Sequence, residues 1–239
     1  MVGGGRGLLA LDITQTVVVV VGVIYGGYQV YDLRRTHDAT SLEALLTEWR
    51  RCADERQIVL KRLPALQGSV EDQVRGFLEW LHEQRQEDGI HDLMTASRKT
   101  VNALTDLGAY LESGAMSKRL FFGQVGTHLL MISHFLDPYI LLTSAHRGSR
   151  WGLRVRRVRW GASNYYLASE VHHDEIVVRD GVVVWPIQRV VQVPKQPWPK
   201  WRLIPSKEAC HEVDSADMAT ARRALDAAPL SEDLAGYFT

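Results

Sequence analysis

TQTVVVVVGVIYGGYQVYDLRR, residues 14–35, is the stretch whose reading decides the fold. Ile13 to Tyr31 is 19 residues without a formal charge. As a helix it spans about 28 Å, close to the ~30 Å hydrocarbon core of a bilayer. Tyr25, Tyr28 and Tyr31 gather at one end, where an aromatic belt sits. Arg34, Arg35, Arg50 and Arg51 follow the stretch, against only Arg6 before it. The positive-inside rule then puts the C-terminal side in the cytoplasm and the short N-terminus outside. The competing reading is a strand buried on both faces, which also favours an unbroken β-branched run. A nucleotide-binding strand is excluded. Gly22, Gly26 and Gly27 do not make G-x-G-x-x-G, and Tyr28-Gln29 stands where a phosphate loop needs Lys-Ser or Lys-Thr. A cleaved signal peptide fits less well, because Asp12 interrupts the approach and no A-x-A site follows. Gly22 and Gly26 form G-x-x-x-G, a spacing that lets two membrane helices approach closely.

The 239 residues as a whole balance 28 basic against 28 acidic groups, so no global field draws the chain to nucleic acid, which is not an expected partner. Cys52 and Cys210 are isolated, so neither a disulfide framework nor a thiolate metal site is implied.

Helical periodicity begins at Thr40, which with Glu43 fits a capping box, and runs to about Leu63 before Pro64. Ser69 caps a second helix with the face Val70, Val74, Phe77, Leu78 and Leu81, broken at Asp88-Gly89. A third covers about His91 to Ser113, with Gly114 at C′. Ser117 opens a fourth, which Asp137-Pro138 interrupts or kinks. A fifth spans about 149–171, where Trp151, Val155, Val158, Ala162 and Tyr165 make one stripe and Arg150, Arg154 and Arg157 a neighbouring one. IVVRDGVVVW then predicts a hairpin around Asp180-Gly181. Five prolines between Pro186 and Pro205 predict an extended strap. A short helix over Ser215–Ala227 and a loose tail complete the chain.

VNALTDLGAYLESGAMSKRLFFGQVGTHLLMISHFLDPYILLTSAHR, following a single span that ends in arginines, resembles a family of bacterial single-span membrane proteins with a helical cytoplasmic domain of unknown function. The resemblance rests on the glycine turn at Gly114, on Pro138-Tyr139-Ile140 and on Arg147, and covers about the first 170 residues. It implies architecture and a plasma-membrane location, and brings no activity with it.

Arg147, Arg150, Arg154, Arg156, Arg157 and Arg159 lie within 13 residues with no acid among them, interleaved with Trp151 and Trp160. Guanidinium forks suit phosphate. Three uses are open: pairing with acids elsewhere in this neutral chain, contact with anionic lipid beneath the tether, or nucleotide binding. PWPKWR, with Trp198 and Trp201, has the aromatic and basic residues of an interface, or straps the core. His172, His173 and Glu175 are metal-ligand candidates, but adjacent residues do not converge on one ion without a third helix. No G-x-S-x-G or activated cysteine supports a nucleophile, and no cofactor or catalytic residue is implied.

The expectation is therefore a mainly α protein. Residues 1–35 form the tail and transmembrane anchor, 36–172 a cytoplasmic helical bundle, and 173–239 a small β-hairpin, Pro-rich segment and short helix. The expected function is a membrane-anchored interaction or scaffolding module that self-associates or binds another protein. The alternatives are a tethered sensor or effector for an anionic lipid or nucleotide, and a metal-dependent hydrolase.

Overall fold

The computed structural model describes residues 29, 40, 42–113, 117–168, 177–179, 182–184 and 207–238. Thr14–Arg35 apart from the helical Gln29, with Gly22 and Gly26, lies outside them, as do Gly114, His172, His173, Glu175 and the Pro-rich run. The described part is mainly helical. Residues 42–51 are helical and lead through Cys52 into α1 (Ala53–Arg62). Then come α2 (Val70–Gln84), α3 (Ile90–Ser113), α4 (Lys118–Arg147), α5 (Leu153–Ala168), α6 (Lys207–Ala227) and the short α7 (Glu232–Ala235) with a 3-10 turn, Gly236–Phe238. Residues 177–179 and 182–184 pair antiparallel, Val177 opposite Val184. Asp180 and Gly181 between them lie outside the described residues.

The arrangement follows from α4. Twenty of its 30 residues are buried, on every side of the helix between Phe121 and Ala145. A helix apolar all round has no solvent face and becomes a core. Here α1, α2, α3, α5 and α6 pack around it. Among the described helices it alone is long and apolar enough to cross a membrane, and 83% of its apolar window is buried inside the domain. Pro138 lies within it without interrupting the helix. An internal proline costs about 3 kcal/mol. Tyr139, Ile140, Leu141 and Leu142 follow directly, all at most 1% exposed. Each stabilises by roughly 1.5–3 kcal/mol on burial, which outweighs the proline.

The flanking helices obey their sequence cues. Ser69 Oγ accepts from the Asp72 amide (3.2 Å) while the Asp72 carboxylate accepts from the Ser69 amide (3.0 Å), closing a capping box at α2. The Ser69 hydroxyl, which donates to the carboxylate at 2.6 Å, and then the Ser69 amide hold the Asp72 carboxyl below its ordinary value. Val74, Phe77, Leu78 and Leu81 turn inward as expected, with Val70 only partly buried. Thr40, read as an N-cap, is itself helical.

Three expectations need correction. The fifth helix begins at Leu153 rather than 149, because Gly148 (φ 62°) and Gly152 (φ 71°) take left-handed turns between α4 and α5. The tail is not loose. Phe238 is fully buried 5.6 Å from the Tyr139 ring, and Arg147 Nε donates to its carbonyl at 2.9 Å. Leu234 is also fully buried, so the last apolar residues form a small stripe that docks on the bundle. The last long helix starts at Lys207, eight residues before the expected Ser215.

Candidate functional site

The arginines of α5 diverge in fate, because successive helical residues point about 100° apart. Arg156 projects between α4 and α6 and is 2% exposed. Its Nε donates to Asp137 Oδ1 of α4 (2.8 Å) and its Nη1 to Asp214 Oδ1 of α6 (2.8 Å). Its Nη2 donates to Asp217, also on α6. One turn on, Arg159 Nη1 lies 3.1 Å from Asp137 Oδ2, so Asp137 takes one guanidinium on each oxygen. Two cations and three carboxylates therefore share one largely buried site. The Arg156 guanidinium also stands 5.3 Å from the buried Trp160 ring. Arg157 and Arg154 point instead to α3, where both meet Glu112 (2.7 and 3.4 Å). The close approach of α3 and α5 depends on Gly108, since a Cβ there would stand 2.9 Å from the Arg154 and Val158 side chains.

Electrostatics separates the three aspartates. Burial works against the Asp137 charge, but Arg156 and Arg159 outweigh it and hold that carboxyl below the ordinary carboxylate range. Burial, with Asp137 and Asp217 beside it, pushes Asp214 up against the opposing pull of Arg156 and Arg150. Burial also opposes the Arg156 charge, yet the aspartates raise its affinity for the proton further still. His134, near Asp137 and Arg159, is pushed down by burial and by Arg159. Cys210 packs on Trp160, and burial beside Asp214 pushes its thiol up to about 12, so it is no thiolate at neutral pH.

A pH prediction follows, with opposite signs for two members of one cluster. Asp137 has a lowered folded-state value. Its stabilisation is full above the unfolded carboxylate value of about 3.9 and is lost as pH falls through the lower folded value. Asp214 has a raised one, so its contribution is full below about 3.9 and is lost as pH rises through the folded value. Asp137→Asn should lower stability at pH 7 by roughly 1.5–3 kcal/mol, the worth of bonds to a charged group. Asp214→Asn keeps an acceptor for Arg156, removes the excess charge, and should not lower it. Urea unfolding of both variants at pH 7 and pH 3.5 checks the contrast.

Of the residues read from sequence as an anionic-ligand row, Arg156, Arg157 and Trp160 are buried and Arg154 and Arg159 partly so. Arg147 caps the tail and stands 5.1 Å from the Trp151 ring. Arg150 is exposed. They do not share one surface. What sequence reading missed were the acids, Glu112, Asp137, Asp214 and Asp217, which lie far from the arginines along the chain. The signal was present at Asp137, a lone acid inside HLLMISHFLDPYILL. A charge in so apolar a helix has to be paired.

What the row does form is a cleft of about 310 Å³ beside the N-terminus of α5. Arg150, Arg154 and Arg157 line it with Trp151, Thr105 of α3 and Asp214 of α6. Among the described residues no group of three or more His, Cys, Asp or Glu could hold a metal ion. No protein-family model, no curated protein and no solved structure matches the chain.

Proposed function

We propose that the chain is a membrane-anchored interaction module of a bacterium, tethered through residues 14–35 with its helical domain cytoplasmic and its hairpin an appendage, and that it self-associates. The length of the uncharged stretch and the arginines after it support the tether. The observation that carries the self-association reading is the pair Tyr110 and Leu120, the large hydrophobic side chains left exposed among the described residues (55% and 48%). They lie near the facing ends of α3 and α4, on either side of the short 114–116 connection. Two side chains are far less than the ~1,200–2,000 Å² that a specific interface buries. Tethering supplies the difference, because copies confined to one bilayer meet at high effective concentration. G-x-x-x-G at Gly22 and Gly26 would add contact within the membrane.

Oxidative cross-linking of the full chain in native membranes tests the reading. Leu120→Cys should give a dimer of doubled mass, whereas Glu71→Cys, exposed on α2, should not. No dimer at Leu120→Cys, or equal yields at both positions, overturns it. Extraction by detergent but not by high salt, with a C-terminal reporter on the cytoplasmic side, checks the tether.

A further inference from the structure

We infer that the groove between α3 and α4 is a peptide-binding site, with the chain's own tail as its resident ligand and the tail of a second copy as the ligand it accepts by exchange. Only the meeting of two copies rests on the self-association proposed above. The groove is built from residues seven apart on each helix, which share one face because seven residues are about two turns. His91 and Arg98 come from α3, Tyr139 and His146 from α4, with Arg147 beside them. The fully buried Phe238 ring lies 5.6 Å from Tyr139 and 6.4 Å from His146, and the Tyr237 ring 6.0 Å from His91. The groove also holds main chain. Arg98 Nη2 and the Tyr139 hydroxyl both donate to the Tyr237 carbonyl (3.4 Å each), and Arg147 Nε donates to the Phe238 carbonyl (2.9 Å). Carbonyls in a folded protein are met mostly by backbone amides. Three side-chain donors on two successive carbonyls, beside a slot for an aromatic ring, are instead the parts of a peptide site. There main-chain bonds give affinity and pockets give specificity.

The tail is built to leave without unfolding the bundle. Only residues 228–231 join it to α6. α7 is four residues long, too short to persist alone, and the Ser231 side chain makes no capping bond to it. Its order therefore comes from docking. Its buried apolar anchors are Leu234 and Phe238, whereas α4 alone buries twenty residues. A segment with so few buried contacts opens at a lower free energy than the whole fold. Opening leaves the Arg98, Tyr139 and Arg147 donors without these carbonyls, and a second copy carries the same sequence that fits them. Exchange of an identical element is a low-cost route to a dimer. The four-residue connection reaches about 13 Å when extended, so the two bundles lie side by side.

Two experiments on the full chain test the inference. Leu234→Ala with Phe238→Ala vacates the groove, and circular dichroism checks that the bundle persists. In detergent, a labelled peptide of residues 231–239 should bind this variant at least tenfold more tightly than wild type, whose own tail competes. The same peptide with Phe238→Ala, or a vacated chain that also carries Arg147→Gln, should lose at least tenfold. No binding to the vacated chain, or no loss with the altered peptide, overturns the site. For exchange, chains carrying His91→Cys are co-expressed with differently tagged chains carrying Tyr237→Cys and treated with a short bis-maleimide. An adduct joining the two chains, suppressed by excess 231–239 peptide, supports exchange. No such adduct, or one that the peptide leaves intact, overturns it. The Leu120→Cys cross-link is read separately: if it forms while the mixed adduct does not, self-association stands and exchange fails.

Discussion

Arg156→Met is expected to lower the free energy of unfolding by about 3–5 kcal/mol, the cost of removing one partner from a buried ionic cluster. The substitution leaves Asp137, Asp214 and Asp217 facing one another in a site where Asp137 and Asp214 are 3% and 2% exposed. Asp137 would keep Arg159 on its far oxygen, while Asp214 and Asp217 would lose the guanidinium that both bind. Methionine fills much of the space, so lost volume is a minor part of the effect. Domains of this size are stable by about 5–15 kcal/mol, so the loss is a large fraction of the total. Arg156→Lys should fall between wild type and Met. It retains the charge, but a point ammonium cannot reach three carboxylates as a planar fork does. Urea denaturation followed by circular dichroism checks the order. A methionine variant within 1 kcal/mol of wild type would show that the aspartates are protonated or hydrated in the native state.

The cluster also explains how α6 is held. Lys207–Ala227 follows a Pro-rich stretch of sequence, and its low apolar content gives it little to bury. Asp214 and Asp217, three residues apart, share one helical face. Both bind the same guanidinium. With Cys210 and Ala221 fully buried on the same helix, α6 docks by register as much as by apolar area. Charge placed in this way favours a specific pairing of helices over a loosely collapsed one.

The local features of the fold were legible before any coordinates. The Ser69 cap and the Phe77-Leu78-Leu81 face act within a few residues, where capping and periodicity operate. What failed did so because its cause is distant. Pro138 reads as a break when α4 is considered alone, and is tolerated because other helices bury the residues on either side. That the arginine run pairs with acids elsewhere was among its open readings, but which acids could not be named, because α3, α4 and α6 supply them. The tail looked free because Phe238 finds its partners, Tyr139 and Arg147, on a helix far back in the chain. The candidate site was half visible. The Arg150-Arg154-Arg157 stripe was read correctly as a stripe, but Thr105 and Asp214, which close the cleft around it, could not be placed beside it from spacing.

The turn that sets that stripe in place gives a second large effect. Gly152 has φ 71°, and a Cβ on it would stand 3.0 Å from Val101 Cγ1 and 3.2 Å from Ile140 Cγ2. Gly148, four residues earlier, has φ 62° and nothing within 4 Å of the same position. The two glycines thus share one backbone cost and differ in packing. Gly148→Ala should cost only the left-handed penalty, about 1–2 kcal/mol. Gly152→Ala should cost that and the overpacking of two buried side chains, about 1–3 kcal/mol more. Urea midpoints at constant m-value measure the difference directly. The extra loss at Gly152 should also leave a local mark, because its carbonyl accepts the Val155 amide at 2.9 Å in the first turn of α5. Relief of the clash moves the first turn of α5, and Arg154 and Arg157 move with it. Amide hydrogen exchange in the first turn of α5 should therefore speed up in Gly152→Ala under conditions where the variant remains folded, and not in Gly148→Ala. Equal destabilisation at the two sites would mean that Val101 and Ile140 yield freely, and that the start of α5 is held by its ion pairs rather than by the turn.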